Sequence, residues 1–508
     1  VIYLLLCFHT SAQVHLYDSA SAMHGKQWVM GLNSITLDFR TNELPVVDTL
    51  RYGPPTPGCV IIDGGSNICD KYGNIALVSN GYYIYDRAGY SLTGMSPINV
   101  PLGTKYFSNY GETNQISICL PQSDWDFYVI CTGVSDKAYE HAEDSGFLYK
   151  EFPADVISYC VVHVDSTTGS ATLVVRDSIV LQDKWLARER MTAVRHGNGR
   201  DWWLVKPHHT KQQFYTLLVT SEGITVHDSI QYSDNPVDFL GKRGQCQFSN
   251  NGAHFAMAKD YVYAGINPVY LYDFDRCTGV FSNYRKLNVP LNDTQDAVTG
   301  VCFSPDNKLL YASSYEQIYQ IPANATITDT FYKVAGYDTV DYYVWYNTMA
   351  TAPNGKLYIG NFHVVRKEMS YIDKPNERGA ACAFTPLGFR QNITNLAIPP
   401  NMPNYALGRW LNSPCDSLYK PPPPPIPLAW QVYPNPTTDM LYINVPDSSI
   451  AQLNISIHNT AGQRVMMRDI AVSNTYKAEI NIAHLAKGVY YLRVQHGIKR
   501  FTTKVVKL

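Results

Sequence analysis

Apolar residues in this chain tend to recur at every second position, in short runs that stop at Pro, Asn, Asp or Gly. In "GVCFSPDNKLLYASSYEQIYQI" (Gly300–Ile321), Phe303 closes one run and Pro305-Asp306-Asn307 makes a turn. Leu309-Leu310-Tyr311-Ala312 opens the next run, and Gln317-Ile318-Tyr319-Gln320 alternates again. A period of two places alternate side chains on opposite faces of a strand, so each run predicts a β-strand. "MATAPNGKLYIGNF" (Met349–Phe362) repeats the pattern around Pro353-Asn354-Gly355, and "CQFSNNGAHFAMA" (Cys246–Ala258) around Asn250-Asn251-Gly252. Looser copies span Cys69–Gly89, Asp126–Gly169 and Arg195–Gly223. The spacing, roughly 45–60 residues, marks a repeat architecture.

Each repeat predicts about four strands with too little apolar surface to fold alone. Radial stacking buries the faces and protects the edges, which is the β-propeller arrangement. Six repeats are readable, and "HGKQWVMGLNSITLDF" (His24–Phe39) supplies strands for a seventh. The expected fold is therefore all-β: a propeller over residues 20–415, with seven blades and six or eight as the other counts. A series of β-sandwiches or a solenoid is the alternative.

The pattern breaks at "YKPPPPPIPLAW" (Tyr419–Trp430). Consecutive prolines favour an extended, semi-rigid spacer, placed here at 416–427. Residues 428–508 then alternate afresh: Leu441, Ile443 and Val445, later Asn454–His458 and Val489–Val494, with a hairpin turn at Asn459-Thr460-Ala461-Gly462. This predicts a small β-sandwich of immunoglobulin-like character.

Composition narrows the function. The net charge is -2 and charged residues are 17% of the 508, so no basic field points to nucleic acid. The 38 Tyr against 18 Phe suit half-buried strands. The opening "VIYLLLCFHTSAQ" carries an apolar run, Val1–Phe8, before Ser11 and Ala12, like the core and cleavage site of a signal peptide over residues 1–12 that lacks its charged start. No other stretch approaches the ~18 apolar residues of a membrane span. Of 11 cysteines, ten follow that segment. An even number in an exported chain is compatible with disulfides; Cys59 with Cys69, and Cys119 with Cys131, are spaced for hairpin-scale bridges, although spacing alone does not decide pairing. No CxxC pair marks a zinc site.

Chemistry-bearing motifs are sparse. His208-His209 is metal-like, but adjacent strand residues face opposite ways, which suits one exposed and one packed histidine. Asp273-Phe274-Asp275 and Asp63-Gly64-Gly65 lack the continuation of a calcium loop. There is no G-x-S-x-G, H-E-x-x-H, P-loop lysine or helix-opening G-x-G-x-x-G; Gly197-Asn198-Gly199 precedes a strand. No catalytic residue, cofactor or metal ligand is assigned. Trp202, Trp203 and Trp345, with Tyr342-Tyr343, are the candidate ligand-mouth aromatics. Asp155, Asp165, Glu189 and Asp201 would have to meet at the axis for an acid–base enzyme.

Four C-terminal motifs appear in order: "VYPNPTTDMLYINV" (Val432–Val445), "NISIHNTAGQRVM" (Asn454–Met466), "INIAHLAKGVYYLRVQ" (Ile480–Gln495) and "FTTKVVKL" (Phe501–Leu508). Together they resemble the type A C-terminal sorting domain of the type IX secretion system of Bacteroidetes. Tyr433, Pro434, Asn435, Pro436, Gly462, Gly488, Tyr490 and Lys504 sit at the motif positions. The resemblance implies an export address read by the type IX machinery, and a secreted or outer-membrane-surface protein. It also implies removal of the tail by a C-terminal signal peptidase, near the proline spacer, with attachment of the cargo to surface lipopolysaccharide. In such a bacterial protein the sequons at Asn292, Asn324, Asn392 and Asn454 are chance. Trp28–Gly379 resembles exported Bacteroidetes propeller proteins of undefined activity. That resemblance transfers no activity; the loops a propeller presents around its central mouth suit a binding or scaffolding module for peptide, glycan or protein, and the alternative is an exported propeller hydrolase or lyase.

Overall fold

The Pro/Asn/Asp/Gly stretches form tight turns of one design. At Ser304, the backbone N–H donates to Leu309 O (2.9 Å) and the carbonyl accepts from Asn307 N–H (2.9 Å). The same pair of bonds recurs at His196 and Ser249, and a version one residue shorter, closing on Asn74 O and Lys356 O, at Asp70 and Ala352. Three residues on, the chain takes a left-handed conformation: Gly73, Gly199, Gly252, Asn307 and Gly355 have φ of 83, 74, 71, 62 and 79°. Glycine and asparagine tolerate that region, which is why they punctuate the repeat. Neighbouring turns also interlock, with Asn251 N–H donating to Asn307 Oδ1 (3.0 Å).

In the computed structural model the described residues are 15–31, 34–41, 43–49, 61, 65–94, 96–98, 115–144, 154–209, 211, 213–231, 244–258, 267–291, 296–326, 329–336, 345–362, 366–395, 398–416, 429–446, 450–473, 475–496 and 499–508. The candidate signal peptide, residues 417–427 of the proline spacer, Cys59, Asp63-Gly64 and Tyr342-Tyr343 lie outside them. The chain divides into two units, Val1–Tyr419 and Lys420–Leu508.

Among the described residues, the large unit carries seven three- or four-stranded antiparallel sheets in chain order, besides a two-stranded sheet of His15–Tyr17 and Leu407–Trp410. Sheet 1 is Gln27–Met30, Ile35–Asp38 and Val46–Thr49; sheet 2 is Ser66–Cys69, Ile75–Ser79 and Ile84–Asp86. Sheet 3 is Ser117–Pro121, Asp126–Gly133, Val156–Val164 and Ala171–Leu181. Sheet 4 is Thr192–Arg195, Trp202–Pro207, Gln213–Val219 and Ile224–Gln231. Sheet 5 is Cys246–Phe248, His254–Ala258, Pro268–Asp275 and Val280–Asn288. Sheet 6 is Val298–Phe303, Leu309–Ser314, Ile318–Pro322 and Tyr332–Ala335; sheet 7 is Trp345–Thr351, Leu357–Phe362, Arg366–Ile372 and Phe384–Asn395. The architecture is all-β and propeller-like.

Each sheet is a simple meander, and the first strands of successive sheets lie against one another at sheets 1–2, 2–3, 4–5, 5–6 and 6–7. Sheet 7 in turn packs on sheet 1: Trp28, Leu37 and Phe39 share a core with Tyr358, Met369 and Phe389. Asn354 Nδ2 donates across the same junction to Glu43 O (2.8 Å). Burying such side chains contributes roughly 1.5–3 kcal/mol each, and no sheet achieves it without its neighbours.

The cysteines depart from the spacing-based expectation. Cys277 bonds Cys415, 138 residues away. Cys69, Cys119 and Cys131 are buried free thiols, so neither short-range bridge forms. The register explains one failure: Cys131 stands opposite Ser117, and Cys119 opposite Val129. Burial pushes the Cys69 and Cys119 thiols up to about 12, leaving them inert neutral core groups.

The small unit has two sheets: Gln431–Tyr433, Met440–Asn444 and Lys477–Asn481, and Arg464–Ala471, Gln452–Asn459, Gly488–His496 and Lys499–Lys507. Leu441, Ile443, Ile455, Ile457, Ile480, Leu492 and Val494 alternate inward from both sheets to one core.

Candidate functional site

After sheet 7 the chain runs inward among the first strands. There Asn401 acts as a buried junction. Its Nδ2 donates to Ser117 O (2.8 Å) and Met191 O (2.9 Å), its Oδ1 accepts from Gln115 Nε2 (3.1 Å), and its N–H donates to Gly65 O (2.9 Å). Gln115 brackets Cys246 through both backbone groups. Gln245 Oε1 accepts from Val301 and Met349 N–H, and its Nε2 donates to Met349 O (2.7 Å). Three amides thus tie the first strands of sheets 2 to 7. An amide suits this place because it donates and accepts without the desolvation penalty of a charge.

The segment then continues to the turn end of the sheets. Tyr405 donates its hydroxyl to Cys119 O (2.7 Å), and Asn404 Nδ2 donates to Asn250 O (2.8 Å). Beyond them Leu407–Trp410 pairs with His15–Tyr17. Arg276 clamps this strap, donating to Gly408 O (2.6 Å), Arg195 O (2.7 Å) and His196 O (3.2 Å). The disulfide anchors its end at Cys415.

A cavity of about 350 Å³ opens beside the strap, with Tyr17, Trp28, Gln247, Asn250, Pro353 and Tyr405 in its wall. Lys26 is the one charged side chain among its described lining residues. Aromatic rings, prolines and amides in a concave site suit an uncharged ligand.

The sequence-named candidates fall elsewhere. Trp202 and Trp203 are buried at 1% and 2% exposure, and neither lines the cavity. Arg195 lies over the Trp202 ring at 4.0 Å, and Trp203 Nε1 donates to Arg276 O (2.8 Å). Trp345 is 40% exposed and leans on Tyr315. His208 and His209 are both buried, correcting the expectation of one exposed ring. Burial pushes His208 down to about 4.

The four acids do not converge. Asp155 binds Ser135, Asp165 caps a turn at Thr167 and Thr168, Glu189 accepts from Gly244 N–H, and Asp201 pairs with Asn198 and Arg200. Asp273 is engaged by His254, Asn283 and Arg285, and Asp275 caps the turn at Cys277. Among the described residues no group of three or more His, Cys, Asp or Glu is placed to hold a metal.

Asp296, at the entry to sheet 6, is the acid most perturbed upward. Burial raises it to about 6 from 3.8, against the opposing bond from Ser314 Oγ (2.6 Å). The folded state therefore holds a proton that the unfolded chain has released between pH 4 and 6, and stability falls as pH rises through that window, by at most about 3 kcal/mol. Asp296→Asn should match the wild type at pH 4 and exceed it at pH 7. Parallel melting-temperature profiles for the two proteins would refute this.

In the small unit, the two ends of the motif series meet. Asn435 Oδ1 accepts from Val506 N–H (2.9 Å) and its Nδ2 donates to Lys504 O (2.7 Å). Thr437 N–H donates to Val506 O (2.9 Å), and Leu508 N–H to Thr437 O (2.8 Å). Tyr433, which ends the first strand just before cis-linked Pro434, rests against Tyr442 and reaches Asn444 Oδ1 (3.1 Å); Pro436 is also cis-linked. Gly462 takes φ 79° in the hairpin turn, Gly488 opens a strand, and Tyr490 Oη donates to Ala486 O (2.8 Å). The last strand, carrying Lys504, is held along its outer edge by residues 435–437.

Residues 431–508 match the family model described as the secretion system C-terminal sorting domain. The small unit is a type IX sorting domain. No curated protein matches the chain. Solved structures resemble it distantly. Hydrazine synthase of Kuenenia stuttgartiensis has 12% identity and a TM-score of 0.34, covering 79% of this chain and 90% of that one. A Lactobacillus plantarum protein has 10% identity and a TM-score of 0.37, covering 76% and 100%. Kluyveromyces lactis Hsv2 has 9% identity and a TM-score of 0.32, covering 70% and 93%. The sorting domain implies export, to the medium or the cell surface. Among the described residues no helix is long and apolar enough to cross a membrane.

Asn435→Ala should loosen the last strand of the sorting domain, lowering that domain's stability by roughly 1–2 kcal/mol. Amide exchange at Val506 reports it directly, and unchanged protection there would contradict the tie.

Proposed function

We propose that this protein is an exported binding module: a closed seven-bladed β-propeller that takes an uncharged stretch of glycan or peptide in its turn-end cavity, delivered by an immunoglobulin-like sorting domain. The cavity carries the reading. Its walls offer aromatic rings, prolines and amides, and it is backed by a strap pinned at Asn401 and Cys415. A pre-formed site of this kind holds a ligand without reordering, which favours recognition. The acids that an acid–base mechanism would need lie in separate local networks. Release of the tail near the proline spacer, leaving the propeller outside the cell, completes the proposal.

Glycan and peptide arrays probed with the full chain test it. The cavity reading expects binding that weakens about tenfold in Tyr17→Ala, whose ring is 70% exposed at the cavity wall. Binding unaffected by Tyr17→Ala, or confined to strongly charged ligands, would displace the site.

A further inference from the structure

The sorting domain is charged unlike the chain that carries it. Residues 431–508 hold nine Lys and Arg against four Asp and Glu, a net of +5, while the whole chain is -2. The excess gathers on one surface. In the four-stranded sheet, Leu492 and Val494 face the core, so Tyr491 and Arg493 face away. The strand register sets Arg464, Tyr491 and Lys504 along one rung of that outer face, Met467 and Arg493 along the next, and Arg500 on the third.

The four cations are exposed and have no ion-pair partner among the described residues. Asp469 is the single carboxylate on these rungs, and Asn454 engages it (2.7 Å). Four strands span roughly 14 Å, so the cations form one patch. Like charges gathered on one sheet face repel and add nothing to the fold. Tyr491 lies among them and Met467 flanks them on the edge strand, 43% and 51% exposed. Tyr, Met and Arg together are the residues that protein interfaces favour at their centres, whereas a site for bare phosphate needs no apolar contact.

We propose that this outer face of the sorting domain docks on an acidic protein surface of the export machinery. The proposal rests on the export reading. Charge complementarity would speed the encounter, and Tyr491 and Met467 would hold the complex.

The test uses the full chain in a bacterium that possesses this pathway. Three forms are compared: wild type, the quadruple variant R464Q/R493Q/R500Q/K504Q, and a chain ending at residue 430. A control, K477Q/K487Q, removes two exposed cations outside this face. The quadruple variant is expected to melt with the wild type yet reach the medium or cell surface at least tenfold less, while the control is exported normally. Retention of the truncated chain with normal export of the quadruple variant overturns the docking face and leaves the export reading intact. Normal export of the truncated chain overturns the export reading itself.

A second measurement does not depend on export yield. Purified full-length protein should sediment with outer membranes at low salt, at least tenfold more than the quadruple variant. Treating the membranes with protease beforehand should abolish the difference. A difference that survives protease treatment identifies a lipid and overturns an acidic protein partner.

Discussion

Replacing Cys277 and Cys415 with alanine will destabilise the large unit by roughly 3–5 kcal/mol, seen as a lower midpoint of guanidinium denaturation. The crosslink closes a loop of 138 residues, which places the chain-entropy contribution near the upper end of the usual range. It also pins the strap that carries both Leu407–Trp410, paired to His15–Tyr17, and the cavity residues Asn404 and Tyr405. Binding at the turn-end cavity should weaken with it. Arg276 would still hold Gly408, so the strap loosens rather than detaches. An unchanged midpoint would mean that the hydrogen bonds alone restrain this end of the chain.

The turns were legible because their chemistry is local. Asn250-Asn251-Gly252 and Pro353-Asn354-Gly355 declare a left-handed residue, and Gly252 and Gly355 adopt one. The sorting motifs were legible for the same reason: they lie in order along one small unit. Long-range partners were not. Cys277 sits in a turn of sheet 5, and its partner waits beyond two further sheets, where spacing carries no information.

Alternation also fails where a strand is buried on both faces. Trp202-Trp203 and His208-His209 should each split into one wet and one dry residue on a half-buried strand. Sheet 4 has neighbours on either side, so both tryptophans are buried, while His208 and His209, just past the strand's end, lie against Leu186 and Trp185. The amide junction left only a faint trace. Asn401 lies in "IPPNMPNY" (Ile398–Tyr405), whose prolines cannot donate to a ladder and so mark a segment outside the sheets. What that segment passes between is a property of the assembled unit.

Asn401→Leu will be about as disruptive as loss of the disulfide, and for a different reason. Leucine keeps the branched shape and the number of heavy atoms, so no cavity opens. It leaves Ser117 O and Met191 O without the side chain that satisfies them, and takes from Gln115 Nε2 one of its two acceptors. Each buried polar group deprived of its partner costs about 1–3 kcal/mol, and the groups belong to different sheets, so local relaxation cannot restore them together. A loss of roughly 3–5 kcal/mol follows, measurable by thermal or chemical denaturation. Asn401→Asp should be at least as damaging, because it turns an oxygen toward two carbonyls and buries a charge. Asn354→Leu, at the partly exposed sheet 7–sheet 1 junction, should cost far less. If Asn401→Leu melted with the wild type, apolar contact between sheets would be holding the first strands together without the amides.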